Sequence, residues 1–470
     1  MKRGFIFCCI LSFAAISTIL SACSTSDDEQ SGTNQTIPEN DVPVVNDPAA
    51  LDSTGSVIKN GDFSQFSSVK DIQIVKNGEI DFSASQFDNR FNSDKKYLDV
   101  ACKTDFALNL AKLVGGEEQN YFISPLCVQM AFALLANGAE GNTYDEIVNA
   151  IGLDGLSKEQ MMEYNKLVLT HYSDASYNDT MSTMQIANSV WASEDFPVYE
   201  SYYSSAKNYF DAEPYCIDFS ADDAADAVNY WAEMHTNGKV KNVVDKKISH
   251  CVMLLLNAIY MKTPWVSPFE EGMTERKVFN NIDGSKKECD MMQEARSCAY
   301  YSDEKYSVAS IGLSNMCNMS FFLPNEGVDL NTVIAELSAE KMKEILSNRN
   351  GKLLDLQVPK FQLGSDLSLN DIMNALGIND AFSEKMANFQ ALSPTSAFVS
   401  MVKHNTYLDV NEKGVEAAAV TSIGIDASGI DDDINMPAPI PFHLDHPFFF
   451  TIHDMQTGAV IFVGRVQSLS

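Results

Sequence analysis

The sequence lacks the short motifs that mark many soluble enzymes. It has no GxSxG elbow, no HExxH, no GxxxxGK(S/T) and no GxGxxG. A nucleophile on a strained turn, a zinc-protease helix and a glycine-rich phosphate cradle are therefore all missing. It has no CxxC pair, so a structural zinc site has no support. Positive charge is scarce: 33 Lys and Arg against 64 Asp and Glu give −31 at pH 7, and no basic run reverses this locally. That balance argues against nucleic acid or anionic lipid as a main partner. The seven histidines, His171, His235, His250, His404, His443, His446 and His453, offer no ligand pair at metal spacing. His443 and His446 are three apart, but Pro447 follows and the context is strand-like. Surface or hydrogen-bonding roles are expected for them, and a solvated loop tip for Asp431–Asp433. No metal or cofactor is implied. The chain is read as not an enzyme; catalysis stays open only through a constellation scattered along the sequence.

What is present begins with an export signal. Lys2 and Arg3 precede an apolar run from Gly4 to about Leu20, followed by Leu20-Ser21-Ala22-Cys23. This is a secretory signal. Its end resembles the lipobox of bacterial lipoproteins, in which the cysteine is lipidated after cleavage before it; the alternative is an ordinary signal peptide cut at a small residue. Ser24-Thr25-Ser26-Asp27-Asp28-Glu29 resembles the acidic export signal of some outer-membrane lipoproteins. The expectation is a signal peptide over 1–22, lipidation at Cys23 and display on the bacterial envelope, since an anchor of more than one acyl chain holds stably. Residues 23–55 are Ser-, Thr-, Asn-, Asp- and Pro-rich, and read as a disordered tether. Residues 56–97 hold Phe63, Phe66, Phe82, Phe87 and Phe91 at turn-rich spacing and are expected to dress the surface of the domain.

The globular domain spans 98–470. At 470 residues and 45% hydrophobic, the chain can bury a large core. "TDFALNLAKLV" has helical spacing, "SPLCVQMAFALLANGA" reads as a buried helix beginning at Ser124-Pro125, and "GNTYDEIVNAIGL" as a capped helix ending at Gly152. Past Met181, "MQIANSVWA", "VMLLLNAIYM", "LLDLQVPKFQL" and "FVSMVKHNTYLDV" read as strands, and "PFFFTIHDMQTGAVIFVGRV" as a hairpin. Helices first and strands later make the class α+β. The seven cysteines past Cys23 are odd in number and do not form a disulfide framework, though Cys289 and Cys298 could pair.

One stretch is out of place. In "GVEAAAVTSIGID", Gly414–Asp426, alternate residues Val415, Ala417, Ala419, Thr421, Ile423 and Ile425 form an apolar, mostly small face. That is the period-two pattern of a half-buried strand. Yet "ASGIDDDINMPAPIP" follows, acidic and Pro-containing, and reads as an exposed loop.

Several segments, in order, resemble the serpin family over roughly Asp105–Ser470. They are Asn120-Tyr121-Phe122-Ile123-Ser124-Pro125 with Gly141-Asn142-Thr143, "LLLNAIYMKTPWVSPF", "VPKFQL", "LGINDAF", "NEKGVEAAAVT" and "DHPFFFTIHDMQTGAVIFVGRV". The resemblance implies a helical N-terminal part on three β-sheets and an exposed reactive-centre loop, here about 412–441. A protease that cuts the loop forms an acyl-enzyme; the loop then inserts into the central sheet as a new strand, and the protease is trapped. This explains a strand pattern outside a sheet. The implied hinge is Glu412, Gly414, Val415, Glu416, Ala417, Ala418 and Ala419, with Glu416 facing outward. A polar cluster under the strands that must part matches Ser124, Cys127, Asn257 and His404, and Trp265 matches an aromatic at the top of the insertion path.

The family's spacing from Glu412 places the scissile bond at Ser428-Gly429, whereas counting back from His446-Pro447-Phe448 lands near Met436, eight residues away. Ala427, Ile425 and Ile430 are neighbouring candidates. No Lys or Arg lies between Gly414 and Gly464, so nothing fits the acidic pocket of a trypsin-like protease. The expected partners are elastase-like or subtilisin-like serine proteases, with cysteine proteases also open because they form acyl-enzymes, and the inhibitor acts as a monomer. The rival expectation is a non-inhibitory serpin, a protease substrate or carrier module, favoured by the long loop.

Overall fold

The computed structural model describes residues 62–76, 104–116, 118–173, 181–245, 248–249, 251–415 and 438–469, all within the unit Lys59–Ser470. Its helices are α1 (Thr104–Leu113), α2 (Pro125–Gly138), α3 (Gly141–Ala150), α4 (Lys158–Tyr172), α5 (Glu200–Phe210), α6 (Ala224–His235), α7 (Leu330–Glu336), α8 (Ala339–Asn348) and α9 (Asn370–Ala375). The first strands are β1 (Val69–Lys70), β2 (Ile74–Val75), β3 (Tyr121–Ile123), β4 (Thr183–Ser193), β5 (Val198–Tyr199), β6 (Glu213–Ile217), β7 (Met253–Pro264), β8 (Glu275–Asn280) and β9 (Lys286–Ser302). Then follow β10 (Tyr306–Leu313), β11 (Cys317–Pro324), β12 (Asn350–Pro359), β13 (Phe361–Ser368), β14 (Met401–Asn411), β15 (Gly414–Val415), β16 (Ile440–His443), β17 (Phe448–Asp454) and β18 (Val460–Val466).

Among the described residues these strands form a seven-stranded sheet in the order β1-β6-β4-β7-β15-β14-β13, a nine-stranded sheet from β16 to β3, and the two-stranded pair β2-β5. Helix α2 is buried along its whole length and packs on β7 of one large sheet and β18 of the other. Its sequence favours this, because apolar residues occupy every face and its two polar side chains find partners inside, Gln129 donating to Ile151 O and Asn137 to Ser205 Oγ. Ser124 caps it by accepting a hydrogen bond from Cys127 N, and Pro125 fills the first turn. Helix α3 stops at Ala150, with Gly152 just beyond it at φ +74. The terminal hairpin is β17 against β18, as two apolar runs joined by a polar, Gly-containing turn lead one to expect, and both strands are buried on both faces.

The α+β class holds, but the expected order of helices first and strands later does not: α5 to α9 lie past Met181. Aromatic-rich segments such as Glu200–Phe210 favour strands on composition. Here Tyr202, Ala206, Tyr209 and Phe210 recur at helical spacing and bury one face of α5, and that face decides.

Part of the N-terminal extension belongs to the sheet rather than dressing its surface. Val69 and Lys70 pair antiparallel with Ile217 and Cys216, so β1 is the outer strand of the seven. Phe63 packs its ring against Trp191, Tyr215 and Tyr230, with centroids 5.8, 5.2 and 5.5 Å away. The backbone and hydroxyl of Ser67 both donate to Asp223 Oδ2, at 2.6 and 2.9 Å, and Ser68 N donates to Oδ1 at 3.1 Å. Asp223 is the residue before α6, so these bonds tie that helix to the sheet's edge.

A Cys289–Cys298 disulfide is ruled out. Both thiols are free and buried, and both lie on β9, nine residues apart. An extended strand separates them by about 30 Å, whereas a disulfide needs Cα atoms within about 7 Å.

Candidate functional site

The site lies along the seam between β7 and β14. These strands pair in parallel from Met401 opposite Leu254 to Asn405 opposite Ala258. His404 therefore stands directly across from Asn257, and the two side chains meet: His404 Nδ1 lies 2.9 Å from Asn257 Oδ1. On its other side the imidazole accepts from Ser124 N at 2.9 Å through Nε2. An accepting Nε2 fixes the proton on Nδ1, which donates to the Asn257 oxygen. The Asn257 amide is then left to donate, and does so to Cys127 O at 3.1 Å and to Asn188 Oδ1 at 2.8 Å. Ser124 Oγ donates to Ile461 O at 2.7 Å. The chain of bonds runs from β18 through the cap of α2 and across the seam to β4. All of these groups are buried. Burial pulls the pKa of His404 down to about 3 and pushes that of the Cys127 thiol up to about 12.

Ser124, Cys127, Asn257 and His404 are thus brought together as the sequence led us to expect, although Cys127 takes part through its backbone. The fifth member of the network, Asn188, was not anticipated. Its signal was available: it is an amide in the middle of the strand "MQIANSVWA", where a polar side chain needs a partner.

At the upper end of the seam the strands separate around the hinge. Gly414 and Val415 pair with Asn411 and Val410 of β14 on one side and with Pro264 and Thr263 of β7 on the other. Of the hinge expected to wait outside the sheet, Gly414 and Val415 are already seated in it. Two properties of the sequence make this fit. At Gly414, φ is +150 and a Cβ would fall onto the Thr263 carbonyl oxygen and within 2.5 Å of Pro264 Cα, so only glycine admits this approach. Val415 is β-branched and buried, as a strand interior favours.

The preceding turn is bolted down by the expected aromatic. Trp265 donates from Nε1 to Asn411 O at 2.9 Å and from its backbone N to Lys413 O at 3.0 Å, and Phe269 N donates to Glu412 O at 2.9 Å. Glu412 itself is bound by Lys360 Nζ at 2.9 Å and by the Thr274 hydroxyl at 2.8 Å. Burial raises the pKa of that carboxyl, but Lys360 and Thr274 outweigh it and hold it below the ordinary value. Neither partner was singled out in the sequence; Lys360 lies in the turn between β12 and β13, and only tertiary folding brings it here.

Past the loop, β16 pairs in parallel with β12. The scissile candidates Ser428, Gly429, Ala427, Ile425, Ile430 and Met436, the hinge residues Glu416, Ala417, Ala418 and Ala419, and Cys23 lie outside the described residues.

Comparison with known proteins decides the family. The model of the serpin family, described as serine protease inhibitor, matches residues 101–469. The chain belongs to the serpin family. It is 29% identical over 390 residues to a serpin-like protein of Methanosarcina acetivorans, covering 80% of this chain and 88% of that one. It is 31% identical over 366 residues to human neuroserpin, covering 75% and 86%. Its fold superimposes on the native crystal structure of the thermophilic serpin tengpin with a TM-score of 0.72 at 27% identity, covering 86% of this chain and all of that one. One opening left by the sequence is corrected here: in place of a scattered catalytic constellation, membership puts a family of protease inhibitors.

Proposed function

We propose that this serpin is a single-use covalent inhibitor of elastase-like or subtilisin-like proteases, held on a bacterial envelope by lipid at Cys23. The observation that carries the reading is the hinge: Gly414 and Val415 sit between the two strands that insertion must part. The residues that follow in sequence continue the same alternation, with Ala417, Ala419, Thr421, Ile423 and Ile425 in register to face inward. No proline precedes Pro437, so nothing in that stretch lacks the N–H that a central strand needs.

The mechanism follows from those residues. The protease attacks the carbonyl at the scissile bond, forming an acyl-enzyme and releasing the amine of the next residue. With the tension of an intact loop gone, the segment from Glu416 onward zips between β7 and β14. Each inserted pair adds ladder hydrogen bonds and buries apolar surface at about 25 cal/mol per Å2. The acyl-enzyme is carried along before water can reach the ester. The absence of Lys and Arg from the loop directs the inhibitor to small or aliphatic pockets.

The test is incubation of the soluble form with pancreatic or neutrophil elastase, followed by a denaturing gel. A stable complex larger than the inhibitor supports the reading, and mass spectrometry of the released C-terminal peptide fixes the scissile bond. Clean cleavage with no complex favours the second reading, a non-inhibitory substrate or carrier; the eight-residue difference between the two loop counts speaks for it. Growth with labelled palmitate, with and without Cys23→Ala, tests the anchor.

A further inference from the structure

We propose that the segment Phe63–Val75 is a docking strip for the captured protease, set by the fold beside the point at which the acyl bond arrives; this rests on the insertion reading above. The strip precedes residues 101–469, so nothing in the family match supplies it. Its place follows from register. Val415 pairs antiparallel with Thr263 of β7 and with Val410 of β14. Continued residue by residue, the first ladder sets residue 424 opposite Leu254, and the second sets it opposite Met401. Leu254 and Met401 now face each other, so the two ladders agree and a strand fits between them without a bulge. One step on, Ile425 falls opposite Met253. Met253 pairs with Ala192, Ala192 with Cys216, and Cys216 with Lys70 of β1. The strip thus shares the last row of the sheet with the end of the inserted strand, about 33 Å from the hinge.

Along that row, from the new strand through β7, β4 and β6 to β1, Ile425 and Lys70 lie about 19 Å apart. A protease domain of about 240 residues is about 45 Å across. Attached at Ser428, just past Ile425, it covers the strip. The strip is also held firmly enough to bear a partner. Phe63, Phe66 and Val69 pack on the same hydrophobic cluster as Leu254, Leu256 and Ala258 of β7. Ile72 packs on the cluster of Met253, Leu255 and Ile259, which the alternation of β7 puts on the other face. The segment therefore wraps the edge of the sheet. Asp218 N donates to Ser68 O and Val198 N to Gln73 O, both at 2.8 Å, and Lys70 Nζ donates to Ser67 O at 2.8 Å. At the base, Ile74 pairs with Val198 through its backbone while its side chain stays 47% exposed. That uncovered apolar group, with Asp71 and Gln73 exposed beside it, is the contact a seated protease takes up.

The test labels Ile74→Cys of the soluble protein with an environment-sensitive dye; the described cysteines are all buried, and the unaltered protein taken through the same labelling sets the background. One sample is reacted with elastase. In the other, a metalloprotease cuts the loop; it passes through no acyl-enzyme, so the strand inserts without cargo. A blue shift in the elastase complex that the cut sample lacks is the expected result. Ile74→Arg should leave the rate of loop cutting as it was and release active elastase from the complex about fivefold faster, the scale of one interface contact. Ile74 is exposed, so neither change disturbs the core. The same emission in both samples, or unchanged release from Ile74→Arg, would overturn the docking strip while leaving inhibition standing. If elastase formed no complex with the unaltered protein, the inhibitory reading would fail and the strip with it.

Discussion

His404 and Asn257 face each other across the seam of the parallel pair β7–β14, and a hydrogen bond of 2.9 Å joins them at a point where neither is exposed to water. The closed sheet therefore has a polar lock inside an apolar layer. Opening the seam leaves buried donors and acceptors without partners, at about 1–3 kcal/mol each.

Removing one half of the lock should weaken the closed state. Asn257→Ala strands the His404 proton and the Asn188 oxygen, and is expected to lower native stability by about 2–4 kcal/mol. Urea unfolding of the uncleaved protein, read by near-UV dichroism, measures this; a change below about 0.5 kcal/mol, the scatter of surface substitutions, would show the lock to be idle.

Acid should do the same without mutation. In the unfolded chain an imidazole takes up its proton near pH 6.5, whereas in the fold His404 does so only near 3. Its contribution to stability is whole above pH 6.5 and is lost as pH falls from there toward 3. Thermal melts across that window should show a decline in Tm that His404→Gln flattens.

Gly414→Ala should expel the hinge. The added methyl meets the Thr263 carbonyl and the Pro264 backbone, neither of which is a movable side-chain end. The expected outcome is a folded protein whose 412–416 segment is cut faster by a non-target protease; unchanged cutting would place the hinge elsewhere.

Cleavage of the loop should stabilise the protein. Cutting between Ile425 and Met436 is expected to raise Tm by more than about 20 °C, since a strand joins the middle of a sheet. An unaltered Tm would mean that the intact fold holds nothing in reserve.

Ala417→Arg should turn an inhibitor into a substrate. On the proposed insertion mechanism its position would face inward, where an unpaired guanidinium would stall the zipper. Elastase should cut the variant as fast as before, with the gel-stable complex lost.

Much of this was legible in the sequence because it rests on local pattern. The largely apolar run of α2, the alternation of β14 and the bare Gly414 each express a backbone requirement that neighbours in sequence reveal. Ser124, Asn257 and His404 came from resemblance, and their meeting in space follows from strand register. What stayed hidden depends on distant segments. Lys360 and Thr274 converge on Glu412 from two different turns. Helix α5 carries strand-favouring aromatics that become helical only because one face has a core to meet. The seating of Gly414 and Val415 depends on the space between two other strands, which no linear pattern records.

The outer strand Val69–Lys70 and the ring of Phe63 precede the stretch that matches the family, residues 101–469. A protein trimmed to that match would shed both and uncover the stack of Trp191 on Tyr215, whose rings lie 4.3 Å apart. The indole's emission spectrum then becomes a built-in reporter: a red shift on trimming would show that the first turns of this domain are written ahead of its recognisable beginning.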